Sequence, residues 1–106
     1  MAKVEYIQEE EFNSLLTNNA VLVVDCTASW CGPCKLVSPL MDKLAEEYKD
    51  HAQVFKLDVS ENPNVAKKLG IRSIPTVMFF KNGDLLETII GVVPYEKFST
   101  TVANIL

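Results

Sequence analysis

The sequence predicts an α/β fold, a mixed five-stranded sheet with helices on both of its faces. Apolar segments typical of strands alternate along the chain with segments whose apolar residues recur at helical spacing. The dipeptide Asn82-Gly83, between the last two strand segments, is a strong hairpin signal. The expected order is therefore β-α-β-α-β-α-β-β-α, with parallel strands where a helix intervenes and antiparallel strands at the hairpin.

The first half of the chain supplies two strands and two helices. A short strand is expected over residues 4–6, and residues 20–28 form an apolar strand of the kind that is buried on both faces of a sheet. Between them, three acidic residues place negative charge at a helix N-terminus: Glu9, Glu10 and Glu11. The apolar stripe of that helix is Phe12, Leu15 and Leu16. A second helix follows, with apolar residues at Leu36, Val37, Leu40, Leu44 and Tyr48.

The second half adds a central strand, a helix, the hairpin and a last helix. Residues 53–59 form the strand. In the helix that follows it, Asn62 is a candidate N-cap, Pro63 suits the first helical position and Gly70 can end the helix. The two hairpin strands are expected over residues 76–80 and 85–90. The final amphipathic helix has apolar residues at Phe98, Val102, Ile105 and Leu106.

Length and charge exclude several classes of protein. The 106 residues predict one domain over residues 1–106. A net charge of −4 provides no basic surface for nucleic acid or for an anionic membrane. No apolar run approaches the roughly 20 residues that span a bilayer, and the start of the chain has no export-signal pattern. We therefore expect a cytoplasmic protein that binds neither nucleic acid nor membrane.

A close pair of cysteines, Cys31 and Cys34, lies between the apolar strand and the second helix. Cys31 is expected at the first helical turn, where free N–H groups stabilise a thiolate, the attacking species in disulfide exchange. Cys34, one turn further and more buried, is near enough to act as the resolving thiol.

Two alternatives for the cysteine pair remain open. A structural disulfide across so short a loop would stabilise the fold only modestly. A zinc site would need two further ligands, and only Cys26 and the solvated His51 are left, so no metal is expected.

The stretch Trp30-Cys31-Gly32-Pro33-Cys34-Lys35 is a highly specific motif in this position, and with it the sequence resembles the thioredoxin family. Further matches follow in order: Asp25, Ala28, Pro39, Lys56, Gly70-Ile71-Arg72-Ser73-Ile74-Pro75-Thr76, Phe80-Lys81-Asn82-Gly83 and Gly91. The resemblance runs from about Val4 to the C-terminus and implies the thioredoxin fold.

The resemblance implies a thiol–disulfide oxidoreductase that reduces disulfides in other proteins. By this resemblance, Cys31 attacks the substrate disulfide and Cys34 then resolves the mixed disulfide, which leaves a Cys31–Cys34 disulfide. A thioredoxin reductase, fed by NADPH or ferredoxin, restores the dithiol. No bound cofactor is implied, and we expect a monomer.

The resemblance also implies a substrate groove beside the cysteine pair. The Ile74–Pro75 bond is expected to be cis and to present the backbone of Ile74 to an extended substrate peptide, which can then pair as an added strand. A proline at a strand start is a compatible interpretation of Pro75. Gly91, without a side chain, lets a partner backbone approach closely. The expected groove residues are Trp30, Gly32, Pro33, Val59, Ser73, Ile74, Pro75, Gly91 and Val92.

Two charged residues interrupt the central strands. Asp25 alternates onto the same face as Val21 and Val23, and Lys56 lies between apolar residues of the next central strand. Because an isolated buried charge is costly, a buried ion pair or a protonated acid is expected. The resemblance places both residues under Cys34, where they handle its proton. The alternative for Asp25 is an exposed carboxylate at a strand end.

Two residues depart from the family's pattern. Thr27 stands where an aromatic residue is usual, and Cys26 stands where an aromatic or aliphatic residue is usual. Alternation directs Cys26 to the face opposite Asp25, as a small core hydrophobe, with a regulatory thiol as the alternative.

Two other functions remain open. The Gly32-Pro33 spacer without histidine argues against a disulfide oxidase or isomerase, and the intact cysteine pair argues against a non-enzymatic docking module.

Overall fold

The predicted order of nine elements is confirmed in a computed structural model, which describes residues 4–106. The strands are β1 (Tyr6–Ile7), β2 (Val21–Thr27), β3 (Gln53–Asp58), β4 (Thr76–Lys81) and β5 (Asp84–Ile90). The helices are α1 (Glu9–Asn18), α2 (Gly32–Glu47), α3 (Pro63–Lys68) and α4 (Tyr95–Ile105). Residues 1–3, part of the segment expected to lack an export signal, lie outside the described residues. No helix within residues 4–106 is long and apolar enough to cross a membrane.

The five strands form one mixed sheet in the order β1-β3-β2-β4-β5. β1 and β2 both run parallel to β3, whereas β4 runs antiparallel to β2 and to β5. Cys26 near the end of β2 is therefore paired with Thr76 at the start of β4. This register brings the segment after β2, which carries the cysteine pair, next to the segment before β4, which carries Pro75.

The core occupies both faces of the sheet, and the alternation along β2 explains why. Val21 and Val23 pack with Val37 of α2 and Phe98 of α4 on one face. On the other face, the intervening residues of β2 pack with α1 and α3: Leu22, Val24 and Cys26. All seven residues of β2 are buried, as expected for a central strand covered by helices on both sides.

The hairpin between β4 and β5 is confirmed at the predicted dipeptide. Asn82 has φ of 52° and Gly83 has φ of 87°, so both lie in the left-handed region that a tight two-residue hairpin turn requires. Asparagine and glycine are the residues that enter this region at least cost.

Strand β1 differs from its prediction. It was expected over residues 4–6 but spans Tyr6–Ile7, where it pairs with Lys56 and Leu57 of β3. Val4 does not join the sheet; its backbone N–H instead donates to the carboxylate of Asp42 on α2, at 3.0 Å. A side-chain acceptor from a distant helix thus replaces a strand partner, which no local pattern indicates.

The side chain of Asn62 does not cap α3 as predicted, although Asn62 does occupy the N-cap position. Its amide oxygen accepts the backbone N–H of Glu9 at 2.9 Å, and its amide nitrogen donates to the carbonyl of Asp58 at 2.9 Å. Asn62 is buried and ties the start of α1 to the end of β3. A tertiary contact has therefore displaced the local capping bond.

Two residues that were predicted to lie on apolar helix faces are exposed instead. Leu36 is 62% exposed and Leu106 is 49% exposed. The face of α2 that packs on the sheet carries Val37, Met41 and Leu44, and Leu36 lies beside that stripe rather than on it. The apolar residue Leu36 is left at the surface near the cysteine pair.

Candidate active site

The cysteine pair lies at the N-terminus of α2, as predicted. Cys31 is the N-cap residue, and Cys34 lies in the first turn. The two form a disulfide with their Cα atoms 5.3 Å apart. The backbone N–H of Cys34 donates to Sγ of Cys31 at 3.2 Å, and the N–H of Cys31 donates to the carbonyl of Ala28 at 3.2 Å. One N–H of the first helical turn therefore donates to the sulfur of Cys31.

The surroundings of the disulfide are apolar. Cys31 and Cys34 pack with Ala28, and Val59 and Ile74 lie against this group. Cys34 is 2% exposed and Cys31 is 5% exposed, so Cys34 is the more enclosed of the two, in the predicted direction. A disulfide or thiol here is largely held away from bulk water.

Pro75 follows a cis peptide bond, as predicted. Its carbonyl accepts the backbone N–H of Gly91 at 2.9 Å, and Gly91 has φ of 90°, a conformation that glycine adopts without strain. Ile74 contacts the disulfide group, and no backbone hydrogen bond within residues 4–106 uses its N–H or carbonyl. The peptide groups of Ile74 are left free beside the cysteine pair.

The predicted groove residues fall into two groups. Val59 and Ile74 contact the disulfide group, and the backbones of Pro75 and Gly91 are hydrogen-bonded to each other. The remaining five are exposed: Trp30, Gly32, Pro33, Ser73 and Val92. Trp30 is 71% exposed, although it directly precedes a buried cysteine. Large apolar side chains left at the surface beside a reactive group are typical of a surface that another molecule covers.

Asp25 is buried, not exposed at a strand end. It is 1% exposed, and neither of its carboxylate oxygens has a hydrogen-bond partner among the described residues. Burial raises the pKa of Asp25 to about 7, and the opposite charge of Lys56 reduces that rise. Of the two arrangements that the sequence predicted, the structure does not have the ion pair with Lys56, and it has instead a carboxyl group whose pKa is raised by burial.

Lys56 is buried too, but it does not form an ion pair with Asp25. The two residues are register partners on neighbouring strands. The ammonium group instead donates to the hydroxyl of Ser38 and lies 3.8 Å from the carboxylate of Asp42. It also lies 5.9 Å from the centre of the Tyr6 ring. The expected ion pair between Asp25 and Lys56 is therefore not formed, and the partners of Lys56 lie on α2.

Ser38 and Asp42 were missed as site residues. Both lie on α2, four and eight positions after Cys34, and such spacing places all three near one face of a helix. Two polar residues following a cysteine at this spacing are the signal that could have identified them. Within residues 4–106, no three His, Cys, Asp or Glu side chains converge as a metal site.

Cys26 points away from the cysteine pair, as alternation predicted, and belongs to the core between the sheet and α1 and α3. It is fully buried, and burial together with the charge of Asp25 raises the pKa of its thiol to about 12. Since the thiolate is the reactive form of cysteine, Cys26 is expected to be inert in the folded protein.

Labelling should therefore separate Cys26 from the cysteine pair. In the reduced native protein at pH 8, iodoacetamide should modify at most two cysteines, and mass spectrometry should find Cys26 modified only after denaturation. Modification of Cys26 at the rate of the other two would favour a regulatory thiol instead.

Comparisons with known proteins agree with this geometry. A family model described as thioredoxin matches residues 3–104. Thioredoxin of Pyropia yezoensis is 46% identical over 88 residues, which cover 83% of this chain and 82% of the relative. A chloroplastic M-type thioredoxin of Chlamydomonas reinhardtii is 43% identical over 106 residues, which cover 99% of this chain and 76% of the relative.

The solved structures agree as well. The crystal structure of Malassezia sympodialis thioredoxin superposes with a TM-score of 0.88 at 33% identity, covering 98% of this chain and 94% of that one. The observed fold is therefore the thioredoxin fold, as the sequence predicted. A cysteine pair at disulfide distance, in the motif position that the resemblance indicated, supplies the chemistry. From its sequence, its fold and its redox pair, this chain belongs to the thioredoxin family and is a thiol–disulfide oxidoreductase.

Proposed function

We propose that this chain is a general protein disulfide reductase in which Cys31 is the nucleophile and Cys34 is the resolving thiol. The observation that carries this assignment is the position of Cys31 as N-cap of α2, where its sulfur accepts the N–H of Cys34 at 3.2 Å. That donor and the positive end of the helix dipole stabilise negative charge on the sulfur of Cys31. A thiolate at this position is the attacking species in disulfide exchange.

The reaction consists of two exchanges at sulfur. The Cys31 thiolate attacks one sulfur of the substrate disulfide, so that a mixed disulfide forms and the other substrate sulfur leaves as a thiolate, which takes a proton from solvent. Cys34 loses its proton and attacks the sulfur of Cys31. The Cys31–Cys34 disulfide then forms, and the second substrate sulfur leaves. The substrate gains two electrons and two protons, and the chain loses two thiol protons and two electrons.

We propose that Asp25 accepts the proton of Cys34 in the second exchange. A carboxyl group with a pKa of about 7 exists in both protonation states near neutral pH, which suits a general base in the cytoplasm. Its oxygens are buried and have no hydrogen-bond partner among the described residues, so they are available to a proton from the enclosed thiol. Lys56, as the nearby buried cation, tunes this carboxyl group through its charge.

Substrate proteins are proposed to dock across Trp30, Ile74, Pro75, Gly91 and Val92, with the substrate backbone pairing to the free peptide groups of Ile74. The apolar exposure of Trp30 and Val92 supports this, because aromatic and apolar anchors dominate protein recognition.

A Trp30→Ala variant should therefore raise KM for insulin about tenfold, the effect expected of a moderately important contact residue. Its free energy of unfolding should hardly change, since Trp30 is 71% exposed. Reduction of a small aromatic disulfide, which needs little of the docking surface, should keep its rate. Leu85→Ala, at an exposed apolar position on β5, is the matched control. An equal effect of the Trp30 variant on both substrates, or of Leu85→Ala on insulin, would contradict this docking surface.

We further propose that a thioredoxin reductase restores the dithiol, and that the chain acts as a monomeric single domain over residues 1–106 in the cytoplasm. A working dithiol requires a reducing compartment, which supports this location.

The test of the whole function is steady-state insulin reduction, assayed separately with an NADPH-dependent and a ferredoxin-dependent reductase. Failure with both enzymes and with dithiothreitol would overturn the proposed function. Light scattering at the mass of one chain, 11.8 kDa, tests the monomer.

A further inference from the structure

The ammonium group of Lys56 is held by α2, although its side chain emerges beside Asp25. Lys56 and Asp25 are register partners on β3 and β2, and both are nearly inaccessible. Even so, the ammonium group donates to Ser38 and lies 3.8 Å from Asp42. Asp42 is itself fixed, because its carboxylate accepts the backbone N–H of Val4 at 3.0 Å. Two polar side chains of α2 therefore compete with Asp25 for one buried cation.

Asp25, in contrast, has no partner for its carboxyl group among the described residues. Its carboxyl group is buried and accepts no hydrogen bond from any residue within 4–106. A direct ion pair with a buried ammonium group at about 4 Å would favour the ionised form of the acid by one to three pH units. An acid paired in that way would stay ionised throughout the neutral range and would be a poor acceptor for the proton of a thiol.

We propose that Ser38 and Asp42 are positioning residues that hold the Lys56 ammonium group away from Asp25 and thereby keep Asp25 able to take up a proton near neutral pH. This inference rests on the proposed role of Asp25 in disulfide exchange. Ser38 and Asp42 touch no reacting atom. They act by positioning the ammonium group of Lys56.

The other ionisable groups around Asp25 and Lys56 do not hold the Lys56 ammonium group in place. Cys34 from α2 is part of the disulfide, and the ring of Tyr6 from β1 lies 5.9 Å from the Lys56 ammonium group. Burial raises the pKa of Tyr6, and the charges of Asp25, Asp58 and Glu61 raise it further. On β4, the register partner of Asp25 is the apolar Val77. Cys26 belongs to the core on the opposite face of the sheet. Asp42 is therefore the one acidic group that contacts Lys56 among the described residues.

The test measures the titration midpoint of Asp25 from its side-chain carbonyl carbon by NMR, in the protein with its disulfide intact. Asp42→Asn removes the anionic partner of Lys56, and Ser38→Ala removes the hydroxyl partner without changing any charge. Both variants should lower the midpoint, by about one pH unit for Asp42→Asn, since the freed ammonium group turns toward Asp25. The acid limb of the pH profile for insulin reduction should move to lower pH by the same amount.

Lys56→Met provides the decisive background. If the loss of the Asp42 charge acted on Asp25 directly, the shift would persist without the lysine. Because we propose that Asp42 acts through Lys56, Asp42→Asn in the Lys56→Met protein should leave the Asp25 midpoint nearly where Lys56→Met alone has it. Glu46→Gln, an exposed acid on the same helix that pairs with Lys49, is the matched control and should have no effect.

Two results would overturn the proposal. One is an Asp25 midpoint that neither Ser38→Ala nor Asp42→Asn lowers. The other is an Asp42→Asn shift that is as large without Lys56 as with it. Because the disulfide protein is titrated without turnover, either result stands even if Asp25→Ala slows insulin reduction, and so the proposed role of Asp25 is judged separately.

Discussion

Replacing Cys31 by serine is expected to reduce the rate of insulin reduction to that of the buffer alone. A serine hydroxyl at the N-cap of α2 can still accept the N–H of Cys34, so the fold should persist. It cannot attack a disulfide, because it supplies no thiolate. The assay is insulin reduction with dithiothreitol as electron donor, with circular dichroism to confirm that the variant is folded.

Cys34→Ser should fail in a different way. Cys31 remains able to attack, but no second thiol releases the substrate, so the mixed disulfide accumulates after one turnover. A non-reducing gel should show a covalent adduct with the substrate that disappears on addition of dithiothreitol. Loss of activity without any adduct in Cys34→Ser, or residual catalysis by Cys31→Ser, would contradict the division of roles.

Asp25→Ala is expected to make the oxidised protein more stable at pH 7 and to make disulfide exchange slower. The pKa of Asp25 is about 7 in the folded protein and about 3.9 in the unfolded chain. The native state therefore holds a proton that the unfolded chain releases between these values. The bound proton makes its full contribution to the free energy of unfolding below the unfolded pKa. That contribution is lost as pH rises toward the folded pKa.

The magnitude follows from the same two values. At about 1.4 kcal/mol per pH unit, the aspartic acid costs the native state roughly 4 kcal/mol at pH 7. Alanine removes this cost but leaves a small cavity, so we expect a net gain of roughly 2 kcal/mol or more at pH 7. The gain should shrink to nothing, or reverse, below about pH 4. Urea unfolding of the disulfide form at several pH values measures this, with the exposed Asp50→Ala as a control that should show no such trend.

The kinetic effect must accompany the gain in stability. Without Asp25, the proton of Cys34 has to pass to solvent, and loss of a general base costs on the order of a hundredfold or more when solvent cannot substitute. We expect the second exchange to slow by roughly tenfold or more, because solvent takes over only part of the role of the carboxylate. An Asp25→Ala protein that is less stable than the parent at pH 7, or that reduces insulin at the parent rate, would show that this carboxyl group has no such role.

Local patterns in the sequence predicted most of the fold because the elements are locally consistent. The hairpin follows from Asn82-Gly83, whose residues enter the left-handed region readily, and the apolar run of β2 indicates a strand covered on both faces. Two of the predictions failed because a distant partner replaced a local one. Val4 donates to Asp42 rather than to a strand, and Asn62 joins α1 to β3 rather than capping α3.

The candidate site shows the same division. Alternation along β2 placed Asp25 on the face of Val21 and Val23, and the position of the cysteine pair between a strand and a helix placed it at a helix start. The partner that Lys56 takes could not be predicted in this way. Its choice between Asp25 and Asp42 depends on how α2 lies over the sheet, which is a property of tertiary packing.

The most direct test of the central claim compares the reactivities of the two active-site thiols in the reduced protein. The N-cap position of Cys31 and the greater enclosure of Cys34 predict that iodoacetamide at pH 7 modifies Cys31 at least about ten times faster, as a thiolate stabilised by a helix end should be. Mass spectrometry of peptides from a time course gives both rates in one sample. Faster modification of Cys31 is the result that this account predicts, and equal rates for the two cysteines would contradict it.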